Sequence, residues 1–275
     1  MVRCHIALGG NLGPVVEAFE RALARLAEQP RIAVVRRSAI YRTRAVGDAA
    51  EGAFRNAAAE LETDLPPLEL LDALQAVERE FGRTRGTRWG DRPLDLDLIF
   101  YGDALLDEPR LTVPHPACWY RRFVLDPLCE IAPEAAHPEK GATVTELRDR
   151  LLERPLVMCW AGSGSRDRQR MSQALERDHP DVRFGEWKPG RMGCAPQELP
   201  KPAPESVGAA HSSGLPTFIA WLGAVAADAD RRDEASSFDA LPRLPRLDLS
   251  GEPDPERAAR HVLGAALDEP TVERP

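Results

Sequence analysis

Four arginines, Arg83, Arg85, Arg88 and Arg92, crowd one short stretch with Trp89, and Asp95 and Asp97 follow directly. Guanidinium groups neutralise phosphate oxygens through planar, multi-donor contacts. Aspartates two positions apart on a strand point to one face and can hold hard cations such as Mg2+. The tryptophan can stack on a flat ring. Only Asp91 lies among the arginines, so the segment carries positive charge beside a carboxylate pair. A phosphate with its cations would reconcile the two. Two strand residues separate the carboxylates by roughly 6–7 Å, a spacing able to share one metal or hold two ions about 3.5–4 Å apart. On its own, D-x-D is more often the solvated face of a half-exposed strand; the arginines favour a nucleotide-handling site.

The elements that must position these groups follow from periodicity. Leu94, Leu96, Leu98 and Phe100 alternate with Asp95, Asp97, Ile99 and Tyr101, which predicts a strand with Leu and Phe packed on one side. Upstream, Val2 to Leu8 reads as a strand ending in Gly9-Gly10-Asn11, a turn expected to need unusual backbone angles. Pro14 opens a helix to about Glu28, a second strand spans about Ile32 to Tyr41, and a third runs from Phe54 to about Leu61. Pro66-Pro67 starts a helix with Leu68, Leu71, Leu74 and Phe81 as its apolar stripe, closed by Gly82. Two more helices are predicted near 122–130 and 144–152. Strand–helix–strand–strand–helix–strand is the ferredoxin-like order, an α+β domain with helices packed on an antiparallel sheet, over residues 1–155.

Residues 156–275 hold 13 of the 25 prolines. They read as a C-terminal extension of unknown role, a small α/β domain with a Pro-rich loop around 188–216, with disorder as the alternative. LVMCW and VRFGEW suggest strands, RDRQRMSQALERD and DPERAARHVLGAAL helices, and TFIAWLGAV either.

The net charge of -8 opposes a general nucleic-acid binder, whose footprint is broadly basic. Five scattered cysteines without C-x-x-C spacing suit a reducing compartment better than a disulfide framework or a zinc site. No run approaches a membrane span or signal peptide. A cytoplasmic protein without membrane or nucleic-acid partners is the expectation; the oligomeric state is open.

ALGGNLG, YRT followed by Gly47 and Asn56, GRTR, RWGDRPLDLDLIFYG, RLTVPHP and RRFVLDPLCEIAP occur in that order. Over about residues 1–155 the chain resembles 6-hydroxymethyl-7,8-dihydropterin pyrophosphokinase of folate synthesis. The resemblance implies the ferredoxin-like fold and transfer of the β,γ-diphosphate of ATP to the pterin hydroxymethyl group, releasing AMP. It implies Asp95 and Asp97 as ligands of two Mg2+ ions, and Arg83 and Arg92 as catalytic arginines closing on the triphosphate. Gln75, Glu78, Arg85, Trp89, Leu98, Arg110, Thr112, His115 and Arg121 match nucleotide-contact positions. Thr43, the backbone at Val46, Phe54, Asn56, Trp89 and Phe123 match the pterin pocket. Arg44 and Ala45 stand where the family has proline, and Pro116 departs from its pattern as well. No general base is singled out; Asp97 or a metal-bound water could serve.

Two other readings compete. An ordinary γ-phosphate kinase would be expected to carry G-x-x-x-x-G-K-[ST], and GGNLGP has no lysine; AGSGSR at 161–166 lacks it too. An RNA-binding ferredoxin-like module would carry stacking aromatics on its sheet, which the low aromatic content and acidic balance oppose. The extension could also be an interaction module without chemistry.

Overall fold

The computed structural model describes residues 1–45, 52–82, 92–162, 165–187, 216–223, 238 and 241–273. The chain divides into two compact units, Met1–Arg148 with Gly264–Pro275, and Asp149–Leu263.

The first unit opens with β1 (Val2–Gly10), whose Cys4, Ile6 and Leu8 enter the core. Helix α1 (Val15–Ala27) buries Phe19, Ala22, Leu23 and Leu26 against them. The single strand expected to Tyr41 is two, β2 (Ile32–Arg37) and β3 (Tyr41–Thr43). Ser38 causes the break. Its Oγ accepts from the Ala58 amide at 2.9 Å, taking a place in the ladder that backbone would fill. The Ala39 amide turns away to donate to the Glu130 carboxylate.

Strand β4 (Phe54–Thr63) pairs antiparallel with β1, β2 and β3. Helix α2 (Pro67–Glu80) starts on a proline and ends before Gly82, whose φ of 80° is the left-handed turn expected there. Its buried stripe is Leu70, Leu74, Val77 and Glu78. Leu68, assigned to the stripe from sequence, is exposed; Leu70, Val77 and Phe81 sit four, three and seven positions from Leu74, whereas Leu68 sits six away.

Strand β5 (Asp95–Tyr101) pairs with β1 through an irregularity between His5 and Ile6. Ile6 faces Leu98 and His5 faces Phe100, so Ile99 is an extra residue. Beyond this bulge the faces swap. Leu94, Leu96 and Leu98 stay in the core, joined by Tyr101. Phe100 turns to the other side and meets the rings of His5 and His137 edge-on. The expected placement of Phe100 beside the leucines is corrected accordingly.

Then come β6 (Leu106–Glu108) and β7 (Leu111–Val113) as a hairpin, and a 3-10 turn at Cys118–Tyr120. Helix α3 (Arg122–Ile131), a short pair β8 (Ala136–His137) and β9 (Ala142–Thr143), and α4 (Val144–Leu152) follow. The second unit carries β10 (Leu156–Ala161), α5 (Ser165–Asp178), β11 (Val182–Glu186), β12 (Phe218–Trp221) and β13 (Arg246–Asp248), its strands parallel in the order β11-β10-β12-β13. Helix α6 (Pro255–Leu267) precedes β14 (Thr271–Val272), which pairs antiparallel with β3. The first unit's sheet therefore runs β14-β3-β4-β1-β5, with β2 also on β4. Among the described residues Cys4, Cys118 and Cys129 are free thiols. The Pro-rich stretch 188–215 lies outside the described residues.

Candidate active site

Residues paired across antiparallel strands share a face. Gly9 pairs with Asn56 on one side and Asp95 on the other, and Ala7 pairs with Ala58 and Asp97. Opposite the helix-packed core, one sheet face thus carries a row of Asn56, Gly9 and Asp95 beside a row of Ala58, Ala7 and Asp97. A Cβ on Gly9 would lie 3.4 Å from Asn56 Oδ1 and 3.8 Å from Asp95 Cβ. Small residues form a floor, with an amide on one side and two carboxylates on the other.

Gly9 and Gly10 are strand residues, and neither is among the glycines with positive φ; the unusual backbone angle falls at Gly13, φ 74°. Their role is close approach instead. A Cβ on Gly10 would come within 2.7 Å of the Pro93 carbonyl and 3.0 Å of Val15. That contact brings the chain before β5 onto the end of β1. Asn11 then grips it: its Oδ1 accepts from the Arg92 amide at 2.9 Å, and its own amide donates to the Arg92 carbonyl at 3.0 Å. Arg92 so held donates through Nη1 to Asp95 Oδ2 at 2.5 Å. Asn11 has no role in the sequence reading; the turn residues of ALGGNLG were its one visible signal.

Glu78 is buried, and its Oε1 accepts from the Leu96 amide at 2.7 Å. It ties α2 to the strand between the two aspartates. Leu98 is buried in the core, which leaves its backbone as the part able to meet a ligand. Gln75 is half-buried on α2. Arg110 pairs with Asp72 of α2, and Thr112 donates to Asp107 at 3.4 Å.

His115 is fixed by its amide donating to the Ile99 carbonyl at 3.0 Å and by Nδ1 accepting from the Ala117 amide at 3.1 Å. Burial, helped by the Arg121 cation, pushes its pKa down to about 4. The ring is neutral near pH 7 with its proton on Nε2, a hydrogen-bond donor rather than a charge. Asp95 is near enough for its charge to act on this ring. On the amide side, Asn56 Nδ2 donates to Thr43 Oγ1 at 2.8 Å, and Thr43 pairs with Phe54. Phe123 is half-buried at the start of α3, with the Arg121 guanidinium 5.6 Å over its ring.

The structure thus gathers Arg92, Asp95, Asp97 and His115 at one side of the floor and Thr43, Phe54 and Asn56 at the other. Val46, Arg83, Arg85, Arg88 and Trp89 lie outside the described residues. Among the described residues no cluster of three or more His, Cys, Asp or Glu suits a metal. Two carboxylates on one face do suit Mg2+, which keeps waters and takes its remaining oxygens from phosphates. The other end of this face holds a separate cavity lined by Arg3, His5, Arg36, Glu60 and Phe100, none of them a sequence-predicted site residue. No helix among the described residues is long and apolar enough to cross a membrane.

A family profile described as 7,8-dihydro-6-hydroxymethylpterin-pyrophosphokinase (HPPK) matches residues 5–133. The 2-amino-4-hydroxy-6-hydroxymethyldihydropteridine pyrophosphokinase of Synechocystis sp. is 48% identical over 148 residues, 53% of this chain and 75% of the relative. That of Haemophilus influenzae is 38% identical over 157 residues, 57% of this chain and 98% of the relative. Among solved structures, Plasmodium falciparum HPPK-DHPS wild type with STZ-DHP matches at 14% identity and a TM-score of 0.43, covering 67% of this chain. The match spans about half of that structure's length, 54%.

Proposed function

This chain belongs to the 7,8-dihydro-6-hydroxymethylpterin-pyrophosphokinase family, and from that we propose how its residues divide the work. It is an ATP-dependent pyrophosphokinase acting on hydroxymethyldihydropterin in folate biosynthesis. The observation carrying the site assignment is the Asn56–Gly9–Asp95 row, where an amide and a carboxylate flank a glycine.

We read Asp95 and Asp97 as the ligands of two Mg2+ ions. When bound, the magnesium supplies positive charge that masks the triphosphate. Arg92, held by Asn11 beside Asp95, and Arg83 take up phosphate oxygens in our reading, so catalysis is positioning and electrostatics. His115 donates Nε2–H to a phosphate, with Gln75, Arg85, Arg110, Thr112, Arg121 and the Leu98 backbone around the nucleotide. Glu78 acts by anchoring β5. The pterin lies over the floor between Phe54 and Phe123, with Asn56 offering donor and acceptor to its edge and Thr43 and the Val46 backbone closing the pocket; Trp89 belongs to both substrates.

The strand order β5-β1-β4 followed by β2 and β3, with α1 and α2 on one face, supports a ferredoxin-like reading of the first unit. An enzyme domain over 1–155, its sheet completed by β14 of the C-terminal segment, an α/β extension between them, and a cytoplasmic location belong to the same reading.

The test is product analysis. With ATP, Mg2+ and 6-hydroxymethyl-7,8-dihydropterin, the protein releases AMP; ADP as the sole nucleotide product would favour an ordinary kinase. Asp97→Ala lowers turnover by about three orders of magnitude or more, on the scale of lost charge stabilisation, with circular dichroism unchanged. Activity near the parent level would remove the metal assignment.

A further inference from the structure

We propose that Asp268 and Glu273, near the C-terminal end of the chain, are positioning residues for the pterin side of the site. They hold β3 and β4 in the register, Tyr41 opposite Asn56 and Thr43 opposite Phe54, that lets Asn56 Nδ2 reach Thr43 Oγ1 along the diagonal. This rests on the functional reading above.

Strand β3 is three residues long and has β4 on one side. So short an edge strand has little to hold it. The C-terminal segment supplies the other side: Thr271 pairs with Arg42 and Val272 with Tyr41. The Glu273 amide donates to the Ile40 carbonyl at 2.7 Å. One step further, buried Asp268 accepts from the Arg44 amide through Oδ1 at 3.5 Å. Backbone is thereby gripped on both flanks of Tyr41–Thr43.

Charge adds a second, independent argument. Arg42 and Arg55 face each other across β3 and β4, and like charges directly opposite destabilise a pair. Glu273 meets Arg55 in a two-point contact, Nε to Oε2 at 2.7 Å and Nη2 to Oε1 at 2.9 Å. Its carboxyl is held below the ordinary range, first by that hydrogen bond and also by the charges of Arg55 and Arg42. Arg55 lies between Phe54 and Asn56 and alternates to the opposite face. Glu273 therefore acts through the strand backbone, without touching the floor.

A part-exposed ion pair adds little to stability. The effect should appear in pterin recognition instead. Glu273→Gln, and separately truncation after Glu269, should raise the KM for the pterin about 3- to 5-fold, with kcat and the KM for ATP within about 2-fold of the parent. The exchange Arg55→Glu with Glu273→Arg should restore the parent KM. Glu273→Gln keeps the test in force if the truncated chain does not fold. An unchanged pterin KM in Glu273→Gln, or an exchange that restores nothing, overturns the inference. An unmodified chain that releases no AMP sinks the functional reading and this inference with it; an active chain whose variants keep the parent pterin KM sinks this inference alone.

Discussion

Asn11 touches Arg92 through backbone and side chain at once, and Arg92 in turn reaches Asp95. Removing the Asn11 amide leaves the Arg92 amide without its acceptor and loosens the guanidinium. Asn11→Ala should cost about 1–3 kcal/mol of stability for the lost acceptor. It should also lower kcat by about 10-fold or more, because a donor misplaced by about 1 Å loses much of its effect. Urea midpoints and single-turnover rates separate the two; parent-like kcat with reduced stability would leave Asn11 a purely structural residue. At this scale the sequence was legible in placement, as with Asp95 and Asp97 on one face of their strand. It was not legible for Gly9 and Gly10. Their value is the absence of a Cβ beside Asn56 and Pro93, a fact about neighbours distant in the chain.

Glu78 ties helix α2 to the strand that carries both aspartates. Its carboxylate binds the Leu96 amide, between the two aspartates of β5. Glu78→Ala should destabilise by about 1–3 kcal/mol and reduce Mg2+ affinity, because a buried amide is left unsatisfied. Glu78→Gln, which keeps an oxygen acceptor, should recover most of both, as read by denaturation and by magnesium titration of activity. Equal losses in the two variants would argue for direct contact of the charge with ligand. Among elements, α1, β4, α2 and β5 were legible because their apolar periodicity is local. The break at Ser38 was not, since a serine hydroxyl filling the ladder leaves no trace in the pattern. Nor was the side taken by Phe100, because the bulge at Ile99 exists only in the pairing with β1. The partner of β14 was invisible for the same reason.

Over the whole first unit, buried titrating groups set an acid limit. His115 and His137 are pushed down to about 4, chiefly by burial. Below the ordinary histidine value of about 6.5 the unfolded chain binds protons that the folded chain refuses. Their contribution is complete above that value and is lost as pH falls toward 4, by at most about 1.4 kcal/mol per pH unit each. Asp268, raised by burial to about 6, works the other way: folding favours its protonated form, and stability drains as pH rises toward 6. Between about pH 4 and 6 His115 and His137, joined by His5, which burial also lowers, oppose Asp268, so the net slope stays positive. Urea dependence of amide exchange in β1 and β4 should show stability rising from pH 4.5 to 7. His137→Asn should flatten that rise and Asp268→Asn steepen it; an unchanged slope in both removes the assignment.

Thr271 meets Arg42 across 229 positions of sequence, while β1, β4 and β5 find one another within the first 101 residues. Closing so long a span is entropically late. The edge we propose for magnesium can therefore form early from local partners, and the edge we propose for the pterin is finished last, so on that reading an interrupted or slowly folding chain would grip metal before it could discriminate its organic substrate.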